Sequence, residues 1–446
     1  MKASHFISLV ILLIYAIACV NKNSGEAAGD NDIDTSVAVN ALTADTFEIG
    51  KLIAHVYCKA DPTQSYALYI PAKGNNEALP VIYFFDPHGD GSFPLIKYKA
   101  LADYYNFILA GSNNSKNGND WPATENIWRA MFDDSKKRLK INNSRIYTCG
   151  FSGGAKVAGY VALNQPEVKG VIANGAGLPD AVEIDNFSFS FTTISGEGDM
   201  NITDLVAINN DLDKTQTRHR IIFFDGIHEW SPGNTMSIAF AGLQLDAMYE
   251  KQIPLNDVFI NNFIINCKKR VENYLQTNKL IKAEQECKLA INMLDGLTKG
   301  LDWFKEKDDS VKNNPVYQKQ LQTQQNLIHT EEKLKAIYGR HFQQGDMNYW
   351  LKTISDLQIK TKSQTPEGAM YQRLLAYLSL AFYSISNRFI TGNQNKEAQY
   401  FVSLYKIADA SNSEAWYFSA ILNARNNNAK ATEDDLLKAV TFLIIS

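Results

Sequence analysis

A serine set between glycines is the feature of this sequence that most directly indicates chemistry. The pentapeptide Gly150-Phe151-Ser152-Gly153-Gly154 follows a strand-like run at 145–149 and precedes a helical run of small residues at 155–163. In that context a Gly-x-Ser-x-Gly sequence is typical of a nucleophile elbow, where small neighbours permit a tight turn and expose the serine hydroxyl. The pentapeptide alone also fits an ordinary turn, because glycine and serine are common turn residues. Residues elsewhere in the sequence must decide between these interpretations.

Two later strand-like runs end in residues that could activate Ser152. Residues 191–194 lead into a turn that contains Asp199, and residues 221–224 lead into a turn that contains His228. A serine hydroxyl is a weak nucleophile, so a histidine must accept its proton and a carboxylate must orient that histidine. The order of serine, acid and histidine at three strand ends predicts a catalytic triad of Ser152, Asp199 and His228.

Other residues compete for two of these roles. Glu197 and Asp225 are close enough in sequence to serve as the acid. Asp199 is preferred because the turn after the preceding strand is where the acid is normally supplied. His219 lies between two arginines before its strand begins, so we expect it to face solvent at the opposite end of the sheet. His228 as an ordinary surface histidine is the alternative to its catalytic role.

An apolar run at 79–85 is typical of a central strand, and it opens into Asp86-Pro87-His88-Gly89-Asp90-Gly91. We expect the backbone N–H groups of Gly153 and of Gly89 or Asp90 to form an oxyanion hole. Such donors stabilise the negative charge that develops on a carbonyl oxygen during attack. His88 is expected to shape this loop, and a glycine-rich turn without a catalytic role is the alternative interpretation.

Together these motifs resemble the serine esterases of the α/β-hydrolase family over residues 58–248. The segment at 226–232 is similar to the histidine loop of polyhydroxybutyrate-depolymerase-like and feruloyl-type esterases. The resemblance implies an α/β fold with a mostly parallel, doubly wound sheet, an ester or acyl substrate, an acyl-enzyme intermediate and no cofactor. A serine peptidase with the same triad and a non-catalytic scaffold are the alternatives. The loop at 86–91 lacks the consecutive glycines of lipases, so the second oxyanion donor is open.

The elements between the motifs alternate in the way that such a sheet requires. Helices are predicted at 100–105 and 125–141, and strands at 107–110 and 168–173. An Asn- and Gly-rich loop that ends at Trp121 is expected near the mouth of the site. Trp121 could line a substrate cleft or pack beneath the loop.

The character of the sequence changes after residue 252, where glycine and strand-like runs nearly vanish. Helices are predicted at 259–275, 280–294, 370–385, 396–410, 415–426 and 434–445. These segments resemble degenerate tetratricopeptide repeats. We therefore predict a hydrolase domain at 46–252 and an all-α helical-repeat domain at 253–446. The second domain could bind a protein or polymer partner, or could only pack on the hydrolase.

The amino-terminal region predicts a cellular location. An apolar run within 1–18 is too short to span a membrane and is typical of a signal peptide. Cys19 follows Ala16-Ile17-Ala18, which resembles a bacterial lipobox, and residues 19–45 read as a flexible tether. We expect a lipoprotein of the bacterial envelope, held to the membrane through a lipid on Cys19 alone. Plain secretion is the alternative.

The amino-acid composition narrows the classes of function that remain. The chain has 446 residues, is 45% hydrophobic and carries a net charge of −4, with no basic cluster, which argues against nucleic-acid binding. No Cys/His spacing suggests a metal site.

Of five cysteines, Cys58 and Cys149 are expected to be buried, while Cys267 and Cys287 lie in predicted helices and could form a disulfide.

Overall fold

The computed structural model describes residues 47–73 and 77–445. The predictions for the signal segment at 1–18, for Cys19 and for the tether at 19–45 lie outside the described residues.

Within the described residues, eight strands form one sheet. Their bounds are β1 (Leu52–Tyr57), β2 (Ser65–Tyr69), β3 (Leu79–Phe85), β4 (Ile108–Ser112), β5 (Ile141–Phe151), β6 (Val168–Asn174), β7 (Ser190–Gly196) and β8 (His219–Phe224). The order across the sheet is β1-β2-β4-β3-β5-β6-β7-β8. The β1–β2 and β2–β4 pairs are antiparallel and every other neighbouring pair is parallel. The carboxyl ends of the parallel strands therefore meet along one edge of the sheet.

Helices cover both faces of this sheet. Their bounds are α1 (Ser92–Tyr105), α2 (Trp121–Arg138), α3 (Gly153–Asn164), α4 (Ile202–Leu212) and α5 (Gly233–Tyr249). Strand β3 is buried along its whole length because its alternate side chains enter two separate cores. Phe84 packs in the cluster that contains Trp230 and Phe240, whereas Phe85 packs in the cluster that contains Trp128. This strand order, with a serine turn between β5 and α3, confirms the α/β-hydrolase fold expected from the sequence.

Helix α1 begins earlier than the sequence predicts, and local capping explains why. A carboxylate oxygen of Asp90 accepts hydrogen bonds from the backbone N–H groups of Ser92 (3.0 Å) and Phe93 (3.1 Å). Helix α2 likewise begins at Trp121, because the Asp120 carboxylate accepts from the Ala123 N–H at 2.8 Å. Side chains that accept from the first free N–H groups stabilise a helix start.

Helices continue to the end of the described chain. Their bounds are α6 (Asp257–Gln276), α7 (Leu280–Leu294), α8 (Asp302–Lys312), α9 (Pro315–His341), α10 (Met347–Lys360), α11 (Pro366–Thr391), α12 (Asn395–Ala408), α13 (Ser413–Arg425) and α14 (Ala429–Ile445). The predicted all-helical character of this region is therefore present. None of the helices in the described ranges is long and apolar enough to cross a membrane.

The chain divides into two compact units. The unit that contains the sheet comprises the described residues up to Gly345 together with 356–374. Its main hydrophobic cluster runs from Phe240 in α5 to Phe263 in α6, Met293 in α7 and Phe304 in α8. The boundary predicted at 252/253 falls inside this unit, because the secondary structure changes there while the side-chain packing continues.

The other unit comprises 346–355 and the described residues from Leu375 onward. Aromatic contacts hold its helices together: Trp350 meets Phe382 edge-on with ring centroids 5.3 Å apart, and Tyr383 stacks on Phe418 at 5.5 Å. The tetratricopeptide resemblance and the partner surface expected here stay predictions.

The four cysteines among the described residues are buried free thiols. Burial of Cys58 and Cys149 agrees with the sequence analysis. Cys267 and Cys287 both lie in the main hydrophobic cluster and form no disulfide in the structure.

Candidate active site

Ser152 occupies a strained turn between β5 and α3. Its backbone has φ 52° and ψ −121°, a conformation that residues other than glycine rarely adopt. The flanking glycines are required by space, since a Cβ at Gly150 would collide with the Gly154 carbonyl, and a Cβ at Gly154 would collide with the carbonyl of Phe85. The turn is fixed by the Ser152 N–H, which donates to the Asn174 carbonyl at 2.9 Å. The predicted elbow geometry is therefore present.

The structure brings Ser152, His228 and Asp199 together. The Nε2 atom of His228 lies 3.0 Å from the Ser152 hydroxyl oxygen. The Nδ1 atom of the same ring lies 3.0 Å from both carboxylate oxygens of Asp199, whose side chain is 1% exposed. An ionised carboxylate can only accept, so Nδ1–H donates to Asp199 and Nε2 is left to accept the serine proton. This arrangement can activate Ser152 as a nucleophile.

Asn174 at the end of β6 fixes the histidine segment, residues 226–232, relative to Ser152. Its fully buried side chain donates to the Glu229 carbonyl at 2.8 Å and accepts from the Ser231 N–H at 3.0 Å. Because its own carbonyl accepts from Ser152, one residue connects the two segments. The sequence analysis missed Asn174, although a polar residue that ends a buried apolar strand was an available signal.

A glycine makes room for the acid and the histidine. Gly175 has φ 70°, and a Cβ there would lie 3.2 Å from the Asp199 carboxylate and 3.2 Å from the His228 ring, with Phe151 closer still. Asn201 then holds the acid in place: its N–H donates to Asp199 at 2.9 Å, and its side-chain amide donates to the Gly175 carbonyl at 2.8 Å.

The two carboxylates that compete with Asp199 for the role of the acid pair with a lysine. Asp225 and Glu197 both pair with the ammonium group of Lys282, at 2.9 Å in the case of Glu197. The hydrogen bond from Lys282 lowers the pKa of the Asp225 carboxyl. Of the three carboxylates considered, the structure therefore places Asp199 against the imidazole of His228.

His219 is the first residue of β8 and so lies at the opposite end of that strand from His228, as expected. The expectation that it faces solvent is wrong, because its side chain is only 10% exposed. The ring contacts the Thr217 carbonyl through Nδ1 at 2.9 Å and the Asp213 carboxylate through Nε2 at 3.0 Å.

The predicted oxyanion donors differ in whether their N–H groups are free to bind a substrate oxygen. Gly153 is the first residue of α3, where an N–H has no acceptor within the helix. The N–H of Gly89 instead donates to the Asp86 carbonyl at 3.1 Å, and Gly89 has φ 77°. Asp90 caps α1 through its side chain, as described above. The ring of His88 lies 3.2 Å from the Asp86 carboxylate and is largely exposed, which fits a role in shaping the loop.

Asn117 is a site residue that the sequence analysis missed. Its amide lies so close to Gly153 that any Cβ at position 153 would collide with it. The backbone N–H of Asn117 donates to the Pro87 carbonyl at 2.8 Å, which joins its loop to the one that follows β3. The signal available in the sequence was the amide-rich loop itself.

Trp121 stacks on Tyr160 of α3, with ring centroids 4.4 Å apart and an interplanar angle of 14°. This contact fits the packing alternative, and a contact between Trp121 and substrate stays a prediction. In the part of the chain that the structure describes, no cluster of His, Cys, Asp or Glu side chains could hold a metal ion.

No family model and no curated protein matches the chain. Among solved structures, an esterase from Pyrobaculum calidifontis is similar at 14% identity and a TM-score of 0.36, covering 45% of this chain and 85% of the other. Esterase B from Lactobacillus rhamnosis is similar at 15% identity and a TM-score of 0.36, covering 46% and 90%. An acylaminoacyl peptidase from Pyrococcus horikoshii is similar at 11% identity and a TM-score of 0.31, covering 42% and 39%. At these values the likenesses indicate no function for this chain.

Proposed function

We propose that this protein is a serine hydrolase that cleaves carboxylic esters through an acyl-enzyme. The observation that carries the proposal is the hydrogen-bonded series from Asp199 through His228 to Ser152, with both links at 3.0 Å. The strained backbone of Ser152 supports it, because strain of this kind persists where the surrounding structure imposes it and is concentrated at functional sites.

In the first half of the reaction, the Ser152 hydroxyl oxygen attacks the ester carbonyl carbon while Nε2 of His228 accepts its proton. Asp199 stabilises the imidazolium that forms. The N–H of Gly153 donates to the negatively charged oxygen of the tetrahedral intermediate. His228 then gives the proton to the departing alcohol, and the acyl group is left on Ser152.

In the second half, His228 accepts a proton from a water molecule as that water attacks the acyl-enzyme carbonyl. Collapse of the second tetrahedral intermediate breaks the bond to Ser152, which recovers its proton from His228, and the carboxylic acid leaves. Each proton taken by His228 is returned, so the cycle consumes only water and ester.

The test uses p-nitrophenyl esters of increasing acyl length and p-nitroanilides with the same acyl groups. We expect the wild-type protein to hydrolyse the esters in preference to the anilides, and to react covalently with a fluorophosphonate. Ser152→Ala should lose both activities while its circular dichroism is unchanged. A faster rate on the anilides would favour the peptidase alternative, and undiminished fluorophosphonate labelling of Ser152→Ala would exclude this serine as the nucleophile.

A second part of the proposal concerns location. The lipobox-like residues before Cys19 support attachment to the bacterial envelope through a lipid on that cysteine. The full chain should then sediment with membranes, and Cys19→Ser should release it or leave it unprocessed. An unlipidated mature terminus beyond Cys19, found by mass spectrometry, would contradict this location.

A further inference from the structure

The turn that carries Asp199 is contacted by a residue far along the chain. Arg373, in the first part of α11, donates from Nη1 to the Glu197 carbonyl at 2.8 Å, across 176 positions of sequence. Its neighbour Gln372 reaches the same turn, since its side-chain oxygen lies 2.8 Å from the place that a Cβ on Gly198 would occupy. The beginning of α11 therefore lies directly on this turn, within the compact unit that contains the sheet.

A buried ion pair holds Arg373 in that position. Its Nε and Nη2 atoms lie 2.8 and 2.7 Å from one carboxylate oxygen of Glu331 in α9, and Glu331 is 1% exposed. The other oxygen of Glu331 lies 2.8 Å from the ammonium group of Lys335, which in turn lies 3.5 Å from the Met200 carbonyl. The planar guanidinium has a fixed fork of donors, so two contacts to Glu331 determine where the third donor points.

The other side of the turn is held as well. The N–H of Glu197 donates to the Phe224 carbonyl at 3.0 Å and that of Gly198 to the Gly226 carbonyl at 2.8 Å. Lys282 in α7 pairs with the Glu197 carboxylate at 2.9 Å. The main-chain carbonyl of Glu197, two residues before Asp199, accepts its hydrogen bond from Arg373.

We propose that Arg373 is a positioning residue for Asp199, fixed by its ion pair with Glu331, so that the helices after the sheet complete the catalytic site. The inference rests on the proposed function. Small displacements of a catalytic group cost large factors in rate, because the reaction needs a narrow range of geometries. Loss of Arg373 would free the Glu197 carbonyl and allow the turn, and with it the Asp199 carboxylate, to move away from Nδ1 of His228.

The test compares Arg373→Ala, Arg373→Lys and Glu331→Gln with a matched control. Arg270 is the control because its Nη2 likewise lies 2.7 Å from a buried glutamate, Glu286 on α7, and both residues lie outside the turn that carries Asp199. We expect Arg373→Ala to lower kcat about ten- to a hundredfold with KM nearly unchanged, and Arg373→Lys and Glu331→Gln to give smaller losses. Arg270→Ala should lower thermal stability while kcat stays within about twofold of wild type.

A second readout reports geometry without activity. The proton on Nδ1 of His228 should give a low-field proton resonance in the wild-type protein, and that resonance should broaden or shift in Arg373→Ala but persist in Arg270→Ala. If Arg373→Ala does not fold, Arg373→Lys and Glu331→Gln give the same test with smaller effects. Folded variants at Arg373 and Glu331 with wild-type kcat and an unaltered resonance would overturn the proposal. Should the wild-type protein hydrolyse no ester, the proposed function fails, while the resonance still decides whether Arg373 positions Asp199.

Discussion

The indole N–H of Trp230 donates to the Asp86 carboxylate at 2.8 Å, which joins the histidine segment to the loop after β3. The other oxygen of Asp86 accepts from the His88 N–H at 2.8 Å, so this carboxylate organises both segments. The Trp230 ring also packs 5.6 Å from that of Phe151, which itself lies 4.7 Å from the His228 ring. The contact therefore couples the position of His228 to the shape of the predicted oxyanion loop.

Trp230→Phe should remove this hydrogen bond while largely retaining the ring packing. A buried Asp86 oxygen would lose its partner, which costs about 1–3 kcal/mol of unfolding free energy. We also expect a lower kcat in ester hydrolysis, because both segments can then move. Tyr83→Phe is the control, since it removes a buried hydroxyl that lies 2.7 Å from the hydroxyl of Ser135 in the other hydrophobic core. Equal losses of kcat in the two variants would show that only general stability is involved.

Replacing His228 and His219 in separate variants distinguishes the general base from a histidine with only a structural role. His228→Ala should reduce kcat at least about a thousandfold, because it removes the Nε2 atom that lies 3.0 Å from the Ser152 hydroxyl oxygen and accepts its proton. His219→Ala should change kcat by no more than about twofold, since its ring contacts Thr217 and Asp213. Steady-state rates on p-nitrophenyl acetate measure both. A large loss in folded His219→Ala would contradict the assignment.

The choice of acid is tested by two amide substitutions. Asp199→Asn should lower kcat on the order of a thousandfold or more, since the amide cannot stabilise the imidazolium or hold its tautomer. Asp225→Asn should have an effect of about twofold at most, because Asp225 is an exposed partner of Lys282. If the phenotypes of the two variants were exchanged, Asp225 would be the acid and Asp199 would not.

A chain that ends at Lys251 should aggregate. The main hydrophobic cluster continues from Phe240 to Phe263 and Met293, so truncation would expose apolar surface that α6 and α7 cover. Size-exclusion chromatography of the truncated and full chains at equal concentration measures this. A soluble, monomeric and active truncation would instead establish 252/253 as an independent domain boundary.

The buried thiols should resist alkylation in the folded protein. Burial raises the pKa of Cys58 and of Cys287 to about 12 each, and raises that of Cys149 well above its usual value. At pH 8 a thiol with a pKa near 12 is about one ten-thousandth ionised, compared with about a quarter for a free cysteine. Iodoacetamide should therefore modify these residues only after unfolding, as followed by mass spectrometry.

The same experiment without reductant examines Cys267 and Cys287. Both should be alkylated after unfolding, because the structure has them as free thiols. Protection of this pair alone, reversed by reductant, would show a disulfide in the protein. Unfolding returns the pKa values of Cys58 and Cys287 from about 12 towards about 8.5. The stability that these two thiols contribute is therefore complete below about pH 8.5 and is lost as the pH rises towards 12.

Much of the fold and of the candidate site could be predicted from the sequence. Alternating apolar runs and helical periodicity are local signals, and they indicated the parallel sheet and the helical region after it. The glycines around Ser152 are required by close backbone contacts within that turn and against β3, so their spacing predicted the elbow. The positions of Asp199 and His228 just beyond strand ends placed them at one edge of the sheet, since parallel strands share the edge where they end.

Only the tertiary structure decided which side chains meet across that edge. The turn position favoured Asp199, but Glu197 and Asp225 also follow strand ends closely. Their pairing with Lys282, which lies on a distant helix, distinguishes these two carboxylates from Asp199. The contacts of Asn174 and Arg373 join segments far apart in sequence, and no periodicity or turn pattern encodes such pairs. Local patterns reflect the conformational preferences of neighbouring residues, whereas these hydrogen bonds depend on where the packed core places whole elements in space.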